Sequence, residues 1–271
     1  MIPISAVIVT KNEARNIARC LSSLEAFSQV VVVDSGSTDE TVAIAHAAGA
    51  EVVSFTWNGA YPKKRQWCLE NLSLRHEWVF FVDADEEATP EFLEALWRMD
   101  WSSVRHAGFF VKGAYVMEGR VLRFGLMNNK LCLLRRGRME FPTVNDLDIP
   151  GMGEMEGHYQ PVRCKGFEEA PVGCIGPFIL HHALEDMEGW QARHERYARW
   201  EAEMDARGAH PQDVTPLRRR MKDMFKAVPC RAELAFVHSY VLKLGFLEGL
   251  AGLHLARSRW AYYRMIRACK K

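Results

Sequence analysis

Three polar clusters stand out in the N-terminal third of the chain: Thr10-Lys11-Asn12-Glu13, Asp34-Ser35-Gly36-Ser37 and Asp83-Ala84-Asp85-Glu86-Glu87. Carboxylates crowded in this way repel one another unless a cation or hydrogen bonds offset their charge. Asp83 and Asp85 are two residues apart, so both can turn toward one hard divalent ion, Mg²⁺ or Mn²⁺. Such ions take oxygen ligands and share their shell with substrate phosphates. The competing reading is an acidic first helical turn, which suits Glu86 and Glu87 better than Asp83. Neither G-x-G-x-x-G nor G-x-x-x-x-G-K-[ST] occurs in the first loop, so a dinucleotide would lack its usual backbone cradle. Cationic charge for a diphosphate is on hand in Lys63-Lys64-Arg65, unless that trio is only a solvated basic face.

Strands and helices must alternate to bring these clusters together. Ala6–Val9, Val30–Val33, Val52–Phe55 and Trp78–Val82 are short apolar runs, β-branched or aromatic, which suit strands buried on both faces of a parallel sheet. Helix-like segments lie between them. Ile17, Leu21 and Leu24 keep helical spacing. Ser37 with Glu40 reads as a capping box opening a helix that runs through Ala48 and ends at Gly49. Trp67, Leu69 and Leu72 lie on a third helix, and Pro90 starts a fourth. The alternation predicts an α/β fold with a doubly wound sheet, in which ligands bind beyond the carboxyl ends of the strands. All three polar clusters sit at such ends, and Asp34 is placed to accept hydrogen bonds from a base or ribose. Gly108–Val111 and Lys130–Leu134 read as further strands, antiparallel ones. Residues 137–178, rich in Gly and Pro, read as loops, and Met187–Met204 as a helix.

The runs Val7-Ile8-Val9-Thr10-Lys11-Asn12-Glu13, Val32-Val33-Asp34-Ser35-Gly36-Ser37-Thr38-Asp39-Glu40-Thr41 and Phe81-Val82-Asp83-Ala84-Asp85-Glu86 together resemble glycosyltransferase family 2, with the GT-A fold. The similarity is greatest to lipopolysaccharide-core β-glucosyltransferases. It implies an inverting transfer from a nucleotide sugar, often UDP-linked, with a divalent metal. Carried over residue by residue, Thr10, Asn12 and Glu13 would line the nucleoside and Asp34 would bind the base. Ser37 and Asp39 would support that loop, and Lys64 and Arg65 would face the diphosphate. Asp83 would contact the ribose and share the metal with Asp85, and His181 would complete the metal shell. Inversion also needs a carboxylate to take the acceptor proton. Where core-type relatives carry a His-Glu pair, this chain has Gly153-Glu154-Met155-Glu156-Gly157-His158. Glu156 is the first candidate base, Glu154 the second and Asp186 the third. A polyprenyl-phosphate glycosyltransferase and a non-catalytic nucleotide-binding module of the same fold are the alternatives.

Composition fits a globular chain of 271 residues, 48% apolar and 25% charged. Seven cysteines at wide spacings, with no C-x-x-C, predict neither a disulfide framework nor a zinc site, and point to a reducing compartment. The chain enters a strand-like run at once, so a cytoplasmic location without a signal peptide is expected. Net charge is +1, but residues 216–271 hold thirteen Lys/Arg against three Asp/Glu, or +10. Apolar and aromatic residues interleave with these cations. They predict a basic amphipathic helical region, residues 211–271, on a GT-A catalytic domain, residues 1–210. That region suits the anionic inner face of the cytoplasmic membrane and a glycan or lipid-linked acceptor. No nucleic-acid-binding motif is recognised. Arg196 and Arg199 are either the salt-bridged outer face of a packed helix or contacts to an anionic acceptor.

Overall fold

The structure is a computed structural model that describes residues 1–156, 159–183, 187–211 and 213–270. In chain order the elements are β1 (Ile2–Thr10), α1 (Ile17–Ser23), β2 (Phe27–Asp34), α2 (Thr41–Ala47), β3 (Glu51–Ser54), α3 (Lys64–Asn71), β4 (Trp78–Asp83), β5 (Glu86–Glu87) and α4 (Pro90–Trp97). There follow β6 (Gly108–Met117), β7 (Arg120–Val121), β8 (Asn128–Arg135), β9 (Met139–Glu140), β10 (Val162–Arg163) and β11 (Val172–His181). Helices α5 (Met187–Arg207), α6 (Pro216–Ala227), α7 (Arg231–Val237) and α8 (Leu250–Cys269) complete the chain, with a π-helical turn at His238–Leu242 and a 3-10 turn at Gly245–Glu248 linking α7 to α8. It divides into two compact units. The first holds Met1–Gly113, Asn129–Phe141 and Pro161–His181; the second holds Ala114–Asn128, Pro142–Gln160 and His182–Lys271.

The first unit has the expected α/β fold. Its sheet runs β3-β2-β1-β4-β8-β6-β11-β5. β1 pairs in parallel with β2 and with β4, and β2 with β3. β8 runs antiparallel to β4, as expected. Val7, Ile8, Val32, Val79 and Phe80 are wholly buried, because strands covered on both faces leave no side facing water. Phe80 packs on Phe27 and Phe92, with ring centroids 5.8 and 5.3 Å apart. Thr89 caps α4 by accepting the Phe92 amide at 3.2 Å, with Pro90 in the first turn as the sequence predicts.

Two local expectations are corrected. The Ser37–Glu40 capping box does not form: α2 begins at Thr41, and Glu40 makes no side-chain cap. Ser37 is drawn instead to Asp34, and Asp39 accepts the Thr41 amide at 3.0 Å. The 137–178 stretch is not all loop, since β9, β10 and most of β11 lie within it. Gly173, within that stretch, is a packing residue, because a Cβ there would lie 2.6 Å from the Phe109 ring.

In the second unit α8 packs on α5. Ala198 and Ala202 meet Tyr262 and Ile266, and the Tyr262 hydroxyl donates to Glu201 at 2.8 Å. Trp190 and Leu255 close a second cluster with Met117 and Leu122. Helix α6 is different. None of its residues is buried, and Leu217, Met221 and Met224 are exposed among Arg219, Arg220 and Lys222. No disulfide joins the seven cysteines. Among the described residues no helix is long and apolar enough to cross a membrane.

Buried carboxylates organise this unit. Asp205, 10% exposed, faces Lys270 at 2.5 Å, His210 at 2.6 Å, Lys226 at 3.1 Å and Arg231 at 3.6 Å. Burial opposes its charge, but the bonds from His210 and Lys270 and the Lys226 charge prevail and hold the carboxyl well below its ordinary range. A depressed folded pKa contributes stability above the unfolded value and loses it as pH falls through the folded one. Asp205→Asn therefore costs about 3 kcal/mol at neutral pH, by leaving cations uncompensated. In urea titrations the gap from wild type narrows once pH drops below about 4.

Candidate active site

The parallel register places the three polar clusters side by side at one rim. Thr10 is level with Asp34, and Val9 with Asp83. With β1 between them, Asp34 and Asp83 are separated by two interstrand spacings, roughly 10 Å.

The β1 and β2 loops are laced together. Asp34 is 4% exposed. Its Oδ2 accepts the Gly36 and Ser37 amides at 2.9 and 2.8 Å, and its Oδ1 accepts the Ser37 and Thr10 hydroxyls at 2.5 and 3.2 Å. Four donors fill the lone pairs a carboxylate has, so Asp34 must exchange one of them to meet a base. Asn12, with φ of 58°, turns back so that its Oδ1 accepts the Thr38 amide at 2.8 Å, while its own amide donates to Ser37 Oγ at 2.8 Å. Glu13 donates its amide to Thr41 Oγ1 at 2.7 Å, and Ala14 donates to Asp39 Oδ2 at 3.1 Å. The bond from the Thr41 hydroxyl, above all, holds the Asp39 carboxyl below its ordinary pKa.

Lys63 and Lys64 are buried, 1% and 6% exposed, which excludes the solvated basic face for both. Lys64 donates to the Thr10 carbonyl at 3.3 Å. Arg65 turns to the third cluster, where its Nη2 donates to Asp83 Oδ1 at 2.7 Å. Asp83 Oδ2 takes a second cation, Lys130 Nζ at 2.6 Å, and the same ammonium is 2.7 Å from Glu86 Oε1. Glu86 also accepts the Asp83 amide at 3.0 Å. Burial opposes the Asp83 charge, yet Lys130 and Arg65 outweigh it and hold its pKa far below the usual value. Glu86 goes the other way: its burial outweighs Lys130 and raises its pKa.

Asp85 feels the charges of Asp83 and Lys130 but takes a different partner. Its Oδ2 lies 3.5 Å from His181 Nε2. The antiparallel pairing of β11 with β5, His181 level with Glu86, brings the histidine there. Burial disfavours a charged His181, but the bond it donates to Asp85 prevails and raises its pKa, while the same bond helps to lower that of Asp85. An oxygen and a nitrogen 3.5 Å apart fit neighbouring corners of a metal shell with bonds of about 2.1 Å. Asp83 is differently placed, with both oxygens committed to cations. Among the described residues no three His, Cys, Asp or Glu side chains gather closely enough to hold an ion alone. An ion here would draw its remaining ligands from phosphate and water, as Mg²⁺ commonly does.

Sequence reasoning missed Lys130. The available signal was a lone lysine opening the apolar run Leu131-Cys132-Leu133-Leu134, because a cation at a buried strand position demands a partner. The expected bases fall in the second unit: Glu156 is 8% exposed, Glu154 is half-buried and neither is a free carboxylate. Asp186 lies outside the described residues. Lys130→Met should cost about 3–5 kcal/mol, because it leaves Asp83 and Glu86 facing each other with one counter-charge removed. Lys130→Met combined with Asp83→Asn should lose less than the sum of the two single changes in urea unfolding.

Residues 5–100 match the family model described as "Glycosyl transferase family 2", bearing out the resemblance carried by the three motifs. An uncharacterized glycosyltransferase of Rickettsia felis is 44% identical over 94 residues, covering 34% of this chain and 32% of that one. The lipopolysaccharide core biosynthesis glycosyltransferase LpsC of Rhizobium meliloti is 33% identical over 149 residues, covering 51% and 52%. The aligned segments thus span about a third of the first relative and about half of the second. Among solved structures, glucosyl-3-phosphoglycerate synthase from Mycobacterium tuberculosis, with Mn²⁺, UDP-glucose and glycerol 3-phosphate, matches at 28% identity. That match covers 43% of this chain and 45% of the synthase at a TM-score of 0.32. Residues 1–349 of TarS from S. aureus match at 18% identity over 97% and 89%, at a TM-score of 0.45. Overlays this loose carry no argument about the site.

Proposed function

From a family 2 glycosyltransferase domain at residues 5–100, we propose that the chain is an inverting glycosyltransferase. It moves a sugar from a nucleotide diphosphate donor, a UDP-sugar, to a lipid-linked or lipopolysaccharide glycan. The observation that carries this reading is the rim itself: Thr10, Asp34 and Asp83 at adjacent strand ends, with the Asp85–His181 pair beside them. The name of LpsC supports the acceptor class.

In this reading Thr10, Asn12, Glu13 and Ser37 line the nucleoside, with Asp34 holding the loop that meets the base. Asp83 approaches the ribose with its charge fixed by Arg65 and Lys130. Lys64 and Arg65 add positive charge near the diphosphate. Asp85 and His181 would hold Mg²⁺ or Mn²⁺, which would supply positive charge to offset that of the departing diphosphate. An acceptor hydroxyl oxygen forms its bond to the anomeric carbon as the bond to the diphosphate oxygen breaks. Glu156 takes the hydroxyl proton, with Glu154 as second choice, and the electron pair of the broken bond leaves with the nucleoside diphosphate. Residues 1–210 are the catalytic part. Residues 211–271 hold the enzyme against the inner face of the cytoplasmic membrane, where the exposed apolar stripe and cations of α6 suit an anionic surface.

UDP with Mn²⁺ at a hundredfold excess over Kd should raise Tm by roughly 5–10 °C, and NAD should not. Asp85→Asn should remove the metal-dependent part of that shift. No shift with any nucleoside diphosphate, with or without Mn²⁺, would overturn the donor site. Glu156→Gln should bind donor normally yet lose about 10²–10⁴-fold in transfer rate. Full turnover in that variant passes the base role to Glu154.

A further inference from the structure

We infer that the turn between α7 and α8 is a wedge that enters the acyl region of an anionic bilayer; this rests on the membrane reading of the C-terminal region. Val241, Leu242, Leu244, Phe246, Leu247 and Leu250 are 44–75% exposed, six large apolar side chains within ten residues. Folded chains seldom leave so contiguous an apolar surface to water without a partner for it.

The turn is built to hold that surface outward. Glu248 is 4% exposed, and its carboxylate accepts the Arg123 and Phe124 amides at 2.7 and 3.0 Å and pairs with Arg120 at 3.0 Å. Gly125 donates to the Lys243 carbonyl at 2.8 Å. Phe124, 41% exposed, thereby joins the patch. The start of α8 lies so close beneath that a Cβ on Gly252 would come within 1.8 Å of the Gly245 carbonyl oxygen. Leu244 holds a φ of 57°, a strained backbone for a leucine, and still presents its side chain to solvent.

Charge identifies the occupant. Arg120, Arg123 and Lys243 are exposed around the patch. Two carboxylates occur in residues 118–127 and 238–252: Glu248, buried and paired with Arg120, and Glu118, exposed on the turn before Arg120, which leaves Arg123 and Lys243 as the cations beside the patch. Apolar side chains with exposed cations beside them match an anionic leaflet, with acyl chains below phosphate headgroups. A second copy of the same face would instead set these cations against one another.

The test uses the full chain and vesicles of phosphatidylglycerol and phosphatidylcholine at physiological salt. Leu242→Ser/Phe246→Ser/Leu247→Ser should weaken sedimentation with the vesicles by about tenfold or more while far-UV circular dichroism stays unchanged. Leu247→Trp should shift its emission to the blue on binding and be quenched by lipids brominated on the acyl chain. If the triple variant binds as wild type does, or the tryptophan stays unquenched on bound protein, the wedge is wrong and the membrane reading survives. If wild type itself fails to bind, both fall together. An oligomer that the triple variant converts to monomer, with vesicle binding unchanged, would assign the face to a second copy and overturn the wedge.

Discussion

Lys130 stands 2.6 Å from Asp83 and 2.7 Å from Glu86, and the rim of the sheet depends on that ammonium. Asp83, Asp85 and Glu86 fall within four residues of chain, all three pressed into surroundings that disfavour charge. Carboxylates so placed would separate or take up protons without a cation among them. Arg65 supplies the second cation, and the pair fixes Asp83 in its ionised form. Because these charges are satisfied internally, Asp85 is left to meet His181. The two aspartates of the motif therefore take different partners, Asp83 two cations and Asp85 a histidine.

The same economy governs the neighbouring loops. Asp34 collects four donors and Asp39 ties Ala14 to Thr41, so the loops after β1 and β2 form one hydrogen-bonded body. In the proposed function a nucleoside would meet groups already in place, and little ordering entropy would then oppose binding.

Charge in the second unit is also more organised than its sum implies. Of the thirteen cations in residues 216–271, Lys226, Arg231 and Lys270 converge on Asp205, and Arg218 and Lys222 on Asp213. These five are structural, holding helices to the α5 end and the segment after it. The field available to an anionic partner comes from the rest, among them Arg219, Arg220 and Lys243, which stand beside the exposed apolar surfaces of α6 and the following turn.

Local order was legible in the sequence because it depends on neighbours in the chain. Short, continuous apolar runs rich in β-branched and aromatic residues suit strands buried on both faces, and Pro90 and Gly49 mark helix ends by their own backbone limits, so the parallel core and the positions of Thr10, Asp34 and Asp83 at strand ends followed from residue types. Partnerships across the fold did not follow. Ser37 has the spacing of a helix cap, yet Asp34 claims its hydroxyl; Lys130 is 47 residues from Asp83, yet neutralises it. Gly173 lies in a stretch that reads as loop, yet the Phe109 ring occupies the space of its missing side chain. Such choices turn on distances between segments far apart in sequence, and only the folded chain sets those distances.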